Sequence, residues 1–285
     1  MTVSDAARAD WVLRWVEAQP RALGPGWLKG LEERKQEEAQ FHDADRAGRR
    51  DESPESTPNR RFYEAAGVVH SALEERLDSL VPGAVFLDFA CGNGQQTIAA
   101  ARKGASLALG IDISETSVQN ATEAAAETGV GQVARFLQRD CENTGLPDAA
   151  FDVCLCSGML HHLDLSRAFP ELHRIMAPGG RILCLEALAY NPFIRLYRTM
   201  TPSLRTEWER RHILGLRELK YARQWFRVEN VRFFLLAAPL ATLLPAGPVR
   251  RAGLRLGHAV DVVATRAPLL KYWSWMFSFE LVKAD

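Results

Sequence analysis

The sequence predicts an α/β fold built on a doubly wound parallel sheet. Three observations carry this expectation. Short apolar runs alternate with amphipathic helical segments from about Arg61 to Glu186. A glycine turn, Gly92-Asn93-Gly94, follows one of these runs and opens a helix. An acid, Asp112, closes the next run. Parallel strands covered on both faces read as continuous apolar stretches, and right-handed crossovers put helices on both sides of them.

The elements follow in order. A first helix is expected after Ser4, a capping residue, and Pro20 stops it; Trp11 and Trp15 fall on one of its faces. A second helix, rich in Glu, Lys and Arg, is expected from Trp27 to about Arg46. Gly48–Asn59 holds turn formers and charge with almost no apolar content, so it reads as a linker. Then come helix Phe62–Leu80, strand Ala84–Phe89, helix Gln95–Arg102, strand Leu107–Ile111, helix Glu115–Glu127 and strand Ala134–Gln138. Strand Phe151–Cys156, helix Ser166–Met176 and strand Gly180–Leu185 close the regular part. Beyond Glu186 the rhythm loosens. Tyr190–Arg223 is rich in Arg and aromatics, a strand is expected over Phe226–Leu235, a helical insertion over Leu240–Leu270, and a last strand over Tyr272–Val282. Residues 1–60 therefore read as a helical N-terminal cap and linker. Residues 61–285 form the main domain, with cap insertions at about 190–225 and 237–270.

Composition narrows the function classes. The 285 residues suffice for one large domain or one domain plus a cap. Lys plus Arg (35) equals Asp plus Glu (35), so no net field draws the molecule to nucleic acid. The five cysteines (Cys91, Cys141, Cys154, Cys156 and Cys184) are odd in number and form no CxxC pair, which reads as reduced thiols in a cytoplasmic protein. No apolar leader is evident at the start. The longest apolar run, Phe233–Leu244, is interrupted by Pro239 and is shorter than the roughly 20 residues a membrane span needs. It reads as a strand leading into a buried helix, the sharper alternative being a greasy substrate lid or a face that touches a membrane surface. No Cys/His set has zinc spacing, and Asp164 alone makes no metal site, so no metal is expected.

Three motifs bear chemistry. In VFLDFACGNGQQTI (Val85–Ile98) a buried strand runs into the glycine turn, and the following helix offers free N–H groups to a polar ligand. The dinucleotide fingerprint GxGxxG would need glycine where Thr97 stands; a cofactor without a pyrophosphate can dispense with it. In LALGIDIS (Leu107–Ser114) the Asp112 carboxylate ends a strand, where it can accept both ribose hydroxyls of an adenosine, while Ser114 caps the next helix. In the third segment, Phe136–Glu186, Asp140 ends a strand within reach of an adenine amine, with the backbone N–H of Cys141 beside it.

Taken together, Val85–Glu186 resembles the class I S-adenosylmethionine-dependent methyltransferases, especially the small-molecule branch that includes the ubiquinone/menaquinone-type enzymes. The succession D-F-A-C-G-N-G, G-I-D-I-S, D-x-E-x-x-x-L-P, F-D-V-x-x-x-x-x-L-H-H-L and H-R-I-M-A-P-G-G carries the resemblance. It implies a Rossmann-like sheet of seven strands with an antiparallel last strand, and S-adenosyl-L-methionine as cofactor. It also assigns roles. Gly92, Asn93 and Gly94, with Ala90 in the same loop, would wrap the methionine part, and Asp88 would support that loop and approach the ammonium. Asp112 would hold the ribose, Ile113 would pack on the adenine, and Asp140 with Cys141 would bind its polar edge. Ser157 would flank the sulfonium.

The implied reaction moves a methyl group from the sulfonium to a small, hydrophobic molecule by in-line displacement, so the protein mainly aligns the reactants. A base is needed only where the acceptor must lose a proton. Candidates are Glu186, His161 and Tyr190. For substrate contact the candidates are His162, Arg195 and Arg205, the arginines because a guanidinium fork suits carboxylate and phosphate. The arginine-rich stretch equally suits a solvated, Glu-balanced helix, and the two histidines equally suit a strand-end pair bonded to backbone. The competing readings are a nicotinamide-dependent oxidoreductase on the same fold class and a non-enzymatic nucleoside-binding module.

Overall fold

The computed structural model describes residues 5–46, 64–201 and 206–284. Among them, seven strands make one sheet: β1 (Val85–Phe89), β2 (Leu107–Asp112), β3 (Ala134–Gln138), β4 (Phe151–Ser157), β5 (Met176–Ala187), β6 (Arg227–Phe234) and β7 (Met276–Val282), in the order β3-β2-β1-β4-β5-β7-β6. β1 to β5 pair in parallel, and β7 runs antiparallel to both β5 and β6. Every residue of β1 and β2 is buried, as their largely apolar composition demands of strands covered on both faces, Asp88 and Asp112 being the exceptions in sequence. The seven-stranded, Rossmann-like architecture with its antiparallel last strand is as expected.

The helices are α1 (Asp5–Glu17), α2 (Gly24–Lys29), α3 (Glu33–Arg46), α4 (Gly67–Leu80), α5 (Gln95–Arg102), α6 (Glu115–Glu127), α7 (Leu165–Ile175), α8 (Pro192–Met200), α9 (Glu207–Arg211), α10 (Leu216–Ala222) and α11 (Pro248–Ala264). The α5 and α6 bounds coincide with the sequence reading. Ser114 caps α6, its side chain accepting the Ser117 N–H at 3.0 Å. β1 pairs with β2 on one side and β4 on the other, so chain order reverses there. That reversal opens a crevice beyond the carboxyl ends of β1 and β4, the place where open α/β sheets take ligands.

Several expectations change. The helix expected over Trp27–Arg46 is two helices. Gly30 ends α2, its N–H bonding the Trp27 carbonyl at 3.0 Å, and α3 starts afresh at Glu33. On α1 the stripe facing the core is Ala9, Val12 and Val16, while Trp11 is 41% exposed. Small side chains let the helix lie close to the sheet; Trp15 packs partly buried against the core, and Trp11 is left at the rim. Phe233–Leu244 leads not into a buried helix but into a short 3-10 segment, Ala238–Leu243, with Leu240 and Leu243 about two-thirds exposed. Pro239 stands in its first turn, where a missing donor costs nothing, and Leu244, extended before Pro245, ends it. β7 begins at Met276, because Leu270–Trp273 forms a 3-10 turn. The expected Ser4 cap, the Gly48–Asn59 linker and Phe62 lie outside the described residues. All five cysteines are free and buried, and burial pushes the Cys91 and Cys141 thiols well up. Among the described residues no helix is long and apolar enough to cross a membrane.

One buried acid ties the antiparallel edge to the rest. Glu280 on β7 accepts from Arg76 Nε (2.7 Å) and Nη2 (3.0 Å), Arg181 Nη1 (2.9 Å) and Asn230 Nδ2 (2.9 Å). Burial pushes its carboxyl up, but Arg76, Asn230 and Arg181 outweigh that and hold it below the usual range. A depressed carboxyl stabilises the fold above its unfolded pKa and loses that contribution as pH falls through the folded value. Glu280→Gln is therefore expected to cost about 1–3 kcal/mol near neutral pH, discounted for the partly exposed arginines, and progressively less below about pH 4. Urea unfolding at a series of pH values measures it.

Candidate active site

The strand ends come together around one cavity, lined by Ala90, Asp112, Ile113, Asp140, Cys141, Ser157 and His162 among others. The sequence reading named all seven for the site. They arrive from four segments because β1, β2, β3 and β4 end side by side at the same sheet edge. Larger clefts open elsewhere on the surface, but none of them gathers these strand-end groups.

Asp112 organises the floor. Its Oδ2 accepts the Gly92 N–H and its Oδ1 accepts the Ser114 N–H, both at 2.9 Å. One carboxylate thus ties the glycine turn to the start of α6 and still has lone pairs for a ligand. The glycine turn itself stands behind the cavity wall. Gly94 has φ +79°, and a Cβ there would lie 2.7 Å from both the Ala121 methyl and the Phe136 ring, so the turn is fitted to its packing as well as to any ligand. Asn93 is buried and accepts from Asn120 Nδ2 at 3.2 Å. Thr97, the residue that departs from the dinucleotide fingerprint, donates its hydroxyl to Asp88 Oδ2 at 2.8 Å and so braces the acid beneath the turn. Asp88, Gly92, Asn93 and Gly94 are second to the cavity rather than part of its lining.

The roof is α3, which the sequence reading placed only as cap material. Lys35 Nζ bonds Asp140 Oδ2 (2.7 Å) and Glu142 Oε2 (2.8 Å), Arg34 Nη2 bonds Glu142 Oε1 (2.7 Å), and Arg46 Nη1 approaches Asp112 Oδ2 at 3.6 Å. Burial pushes the Lys35 ammonium down, but Asp140 and Glu142 overcome it and hold it above its ordinary value. The acids at the strand ends attract this charged helix, which explains why a segment so poor in apolar residues buries Lys35 and Glu38. The only hint in the sequence is that Arg34, Lys35 and Arg46 stand on a helix otherwise richer in acids. Nothing in one dimension shows which acids they meet.

Beside the cavity, the end of β4 carries His161 and His162 in a 3-10 turn, Leu160–His162. His161 Nδ1 lies 2.6 Å from Glu186 Oε2, and Glu186 Oε1 accepts the Met159 (2.9 Å) and Leu160 (2.7 Å) N–H groups. Glu186 is fully buried. Where His161 Nδ1 donates to Glu186 Oε2, Nε2 is left as the proton acceptor. Nε2 faces Glu209 of α9 at 3.8 Å. This corrects the expected role of Glu186: both oxygens are committed out of reach of solvent, so it orients His161 and does not itself meet an acceptor. His162 Nδ1 is 3.0 Å from Glu38 Oε2. Burial and the neighbouring His161 push the His162 imidazole down; burial pushes Glu38 up, but His162, His42 and Thr206 hold it well below the usual range.

Tyr190 and Arg195 belong elsewhere. They line a separate, cation-rich groove with Arg198, Glu207, Arg210 and Arg211. The Tyr190 hydroxyl accepts the Leu216 N–H at 2.8 Å and packs on Gly215, so it braces α10 and is not beside His161. Its position after β5 suggested the site, but Ala189 is held to the Leu214 carbonyl and the chain turns away there. Arg205 lies outside the described residues.

Comparison with known proteins agrees with this geometry. The methyltransferase domain family matches residues 87–184. The chain is 34% identical over 114 residues to 27-O-demethylrifamycin SV methyltransferase of Amycolatopsis mediterranei, covering 39% of this chain and 42% of that protein. It is 32% identical over 120 residues to demethylmenaquinone methyltransferase of Symbiobacterium thermophilum, covering 41% and 47%. The matched region thus spans less than half the length of these relatives. Among solved structures, geranyl diphosphate C-methyltransferase from Streptomyces coelicolor superposes with a TM-score of 0.59 at 16% identity, covering 89% of this chain and 98% of that one. Magnesium protoporphyrin IX methyltransferase from Synechocystis gives 0.57 at 16% identity, covering 88% and 100%. Residues 87–184 therefore match the methyltransferase domain family, and the chain around them has the fold of these solved methyltransferases.

Proposed function

We propose that the protein transfers a methyl group from S-adenosylmethionine to a small, hydrophobic molecule. The observation that carries this is the gathering of Asp112, Ile113, Asp140, Cys141 and Ser157 on one cavity at the sheet's switch point. Asp112 suits the ribose hydroxyls, Asp140 with Cys141 the adenine edge, and Ser157 and Ala90 the neighbourhood of the sulfonium. The glycine turn, held by Asp112 and braced through Asp88 and Thr97, suits the amino-acid end. Bound here, the cofactor supplies an electrophilic methyl. The protein supplies alignment, exclusion of water and, at His161 Nε2, a place for a proton. Names of the relatives, which include methyltransferases of a rifamycin and of a demethylated menaquinone, support an acceptor of small-molecule class. The base at His161 favours an acceptor oxygen or carbon that loses a proton on methylation.

The cavity measures about 130 Å³, below the roughly 300 Å³ at which small-molecule sites begin. Admission of the cofactor therefore requires α3 to ease outward, exchanging part of its ion pairs with Asp112 and Asp140 for ligand contacts. Isothermal titration with S-adenosylhomocysteine tests the reading: saturable one-to-one binding is expected, and no detectable binding would defeat it. Transfer of labelled methyl to a panel of small phenols, quinols and hydroxylated macrocycles then tests the acceptor class.

A further inference from the structure

Glu38 and His42 are spaced i, i+4 on α3 and so share one helix face. That face meets His162 at the end of β4. Glu38 Oε2 stands 3.0 Å from His162 Nδ1 and 3.6 Å from His42 Nε2. The three potential ligand atoms all lie within 4.8 Å of one another. A tetrahedral ion with bonds of about 2.0–2.1 Å holds its ligand atoms roughly 3.4 Å apart. The two edges to Glu38 bracket that spacing, and the third lies within 4.8 Å.

We propose that Glu38, His42 and His162 form a binding site for a divalent transition-metal ion of borderline softness, such as zinc. Two nitrogens and one carboxylate oxygen suit such an ion and not the all-oxygen preference of magnesium or calcium. The Thr206 hydroxyl donates to Glu38 Oε1, which orients the carboxylate to offer Oε2 alone. All three ligands line the cavity, so a fourth coordination position faces its interior and is open to water or an acceptor oxygen. The cations on the same helix do not repel the ion strongly, because Lys35 and Arg34 are already matched by Asp140 and Glu142. The ion joins α3 to the His161-His162 turn at one end of the roof. It also places a Lewis acid beside His161. The motif was invisible to a search for zinc spacing because two ligands sit on the cap and the third lies beyond β4.

The test reads metal uptake and does not depend on methyl transfer. The full chain, stripped with a chelator, is titrated with Co²⁺ followed in the visible spectrum and with Zn²⁺ by calorimetry. One equivalent is expected to bind, with the intense ligand-field bands of a four-coordinate cobalt site. His42→Gln and His162→Gln, each checked for fold by circular dichroism, are expected to weaken binding by more than about tenfold, while His70→Gln on α4 leaves it unchanged. Absence of saturable uptake, octahedral cobalt bands, or equal binding by both site variants and the unaltered chain would overturn the assignment.

Discussion

His161→Asn is expected to lower kcat by roughly 10²–10⁴-fold with an acceptor that must lose a proton, the usual worth of a positioned general base. Affinity for S-adenosylhomocysteine should stay essentially unchanged. The substitution removes the ring nitrogen Nε2, while asparagine can still place an amide near Glu186. Glu186 reports on the same unit from behind. Its Oε1 accepts two backbone N–H groups and its Oε2 faces His161 Nδ1. Glu186→Gln can keep its oxygen on the two backbone N–H groups and turn its NH₂ to His161 Nδ1, which then accepts and moves the ring hydrogen to Nε2. This exchanges a charge-assisted hydrogen bond for a neutral one, at a cost of about 1 kcal/mol in stability. The glutamine also no longer enforces the Nδ1–H tautomer, so the rate falls and its pH profile shifts. A purely structural Glu186 would lower stability and leave the pH profile in place. Turnover by His161→Asn equal to that of the unaltered enzyme would remove His161 from the mechanism altogether.

Asp112→Ala is expected to weaken cofactor binding by about 10²–10³-fold, the loss of two charge-assisted hydrogen bonds at roughly 1.5–3 kcal/mol each, less what water restores. The same change strands the Gly92 and Ser114 N–H groups, so some stability is lost as well. A comparison of two ligands separates these effects. The unaltered chain should bind the 2′-deoxy analogue of S-adenosylhomocysteine more weakly than the parent, and Asp112→Ala should bind both alike, because the group that distinguishes them is gone. If the variant discriminates as well as the unaltered chain, Asp112 is a brace for the turn and not a grip on the sugar.

The sheet was legible because its strands are buried on both sides. Such strands must be continuous apolar runs, and the run at Leu107–Ile111, closed by Asp112, shows it. The cavity lining was legible for a related reason. Asp112, Asp140 and Ser157 sit at strand ends, and strand ends in this fold all meet at one edge, so position along the chain becomes position in space. Glu186 was found but misassigned. Sequence placed it at the mouth of β5; it does not reveal that its side chain turns inward to two backbone N–H groups and a histidine.

The amino-acid order by itself determined the strand and helix succession, the glycine turn and the acids that border the cavity, since these depend on local periodicity and on strand termini. Only the tertiary structure decided that a charged helix, α3, lies across those acids, that His161 is oriented by Glu186, and that Tyr190 and Arg195 face a different groove. Those outcomes rest on contacts between segments up to more than a hundred residues apart, such as Lys35 with Asp140. A charged side chain carries no mark of its distant partner; the pairing is set by which surfaces the folded sheet brings together.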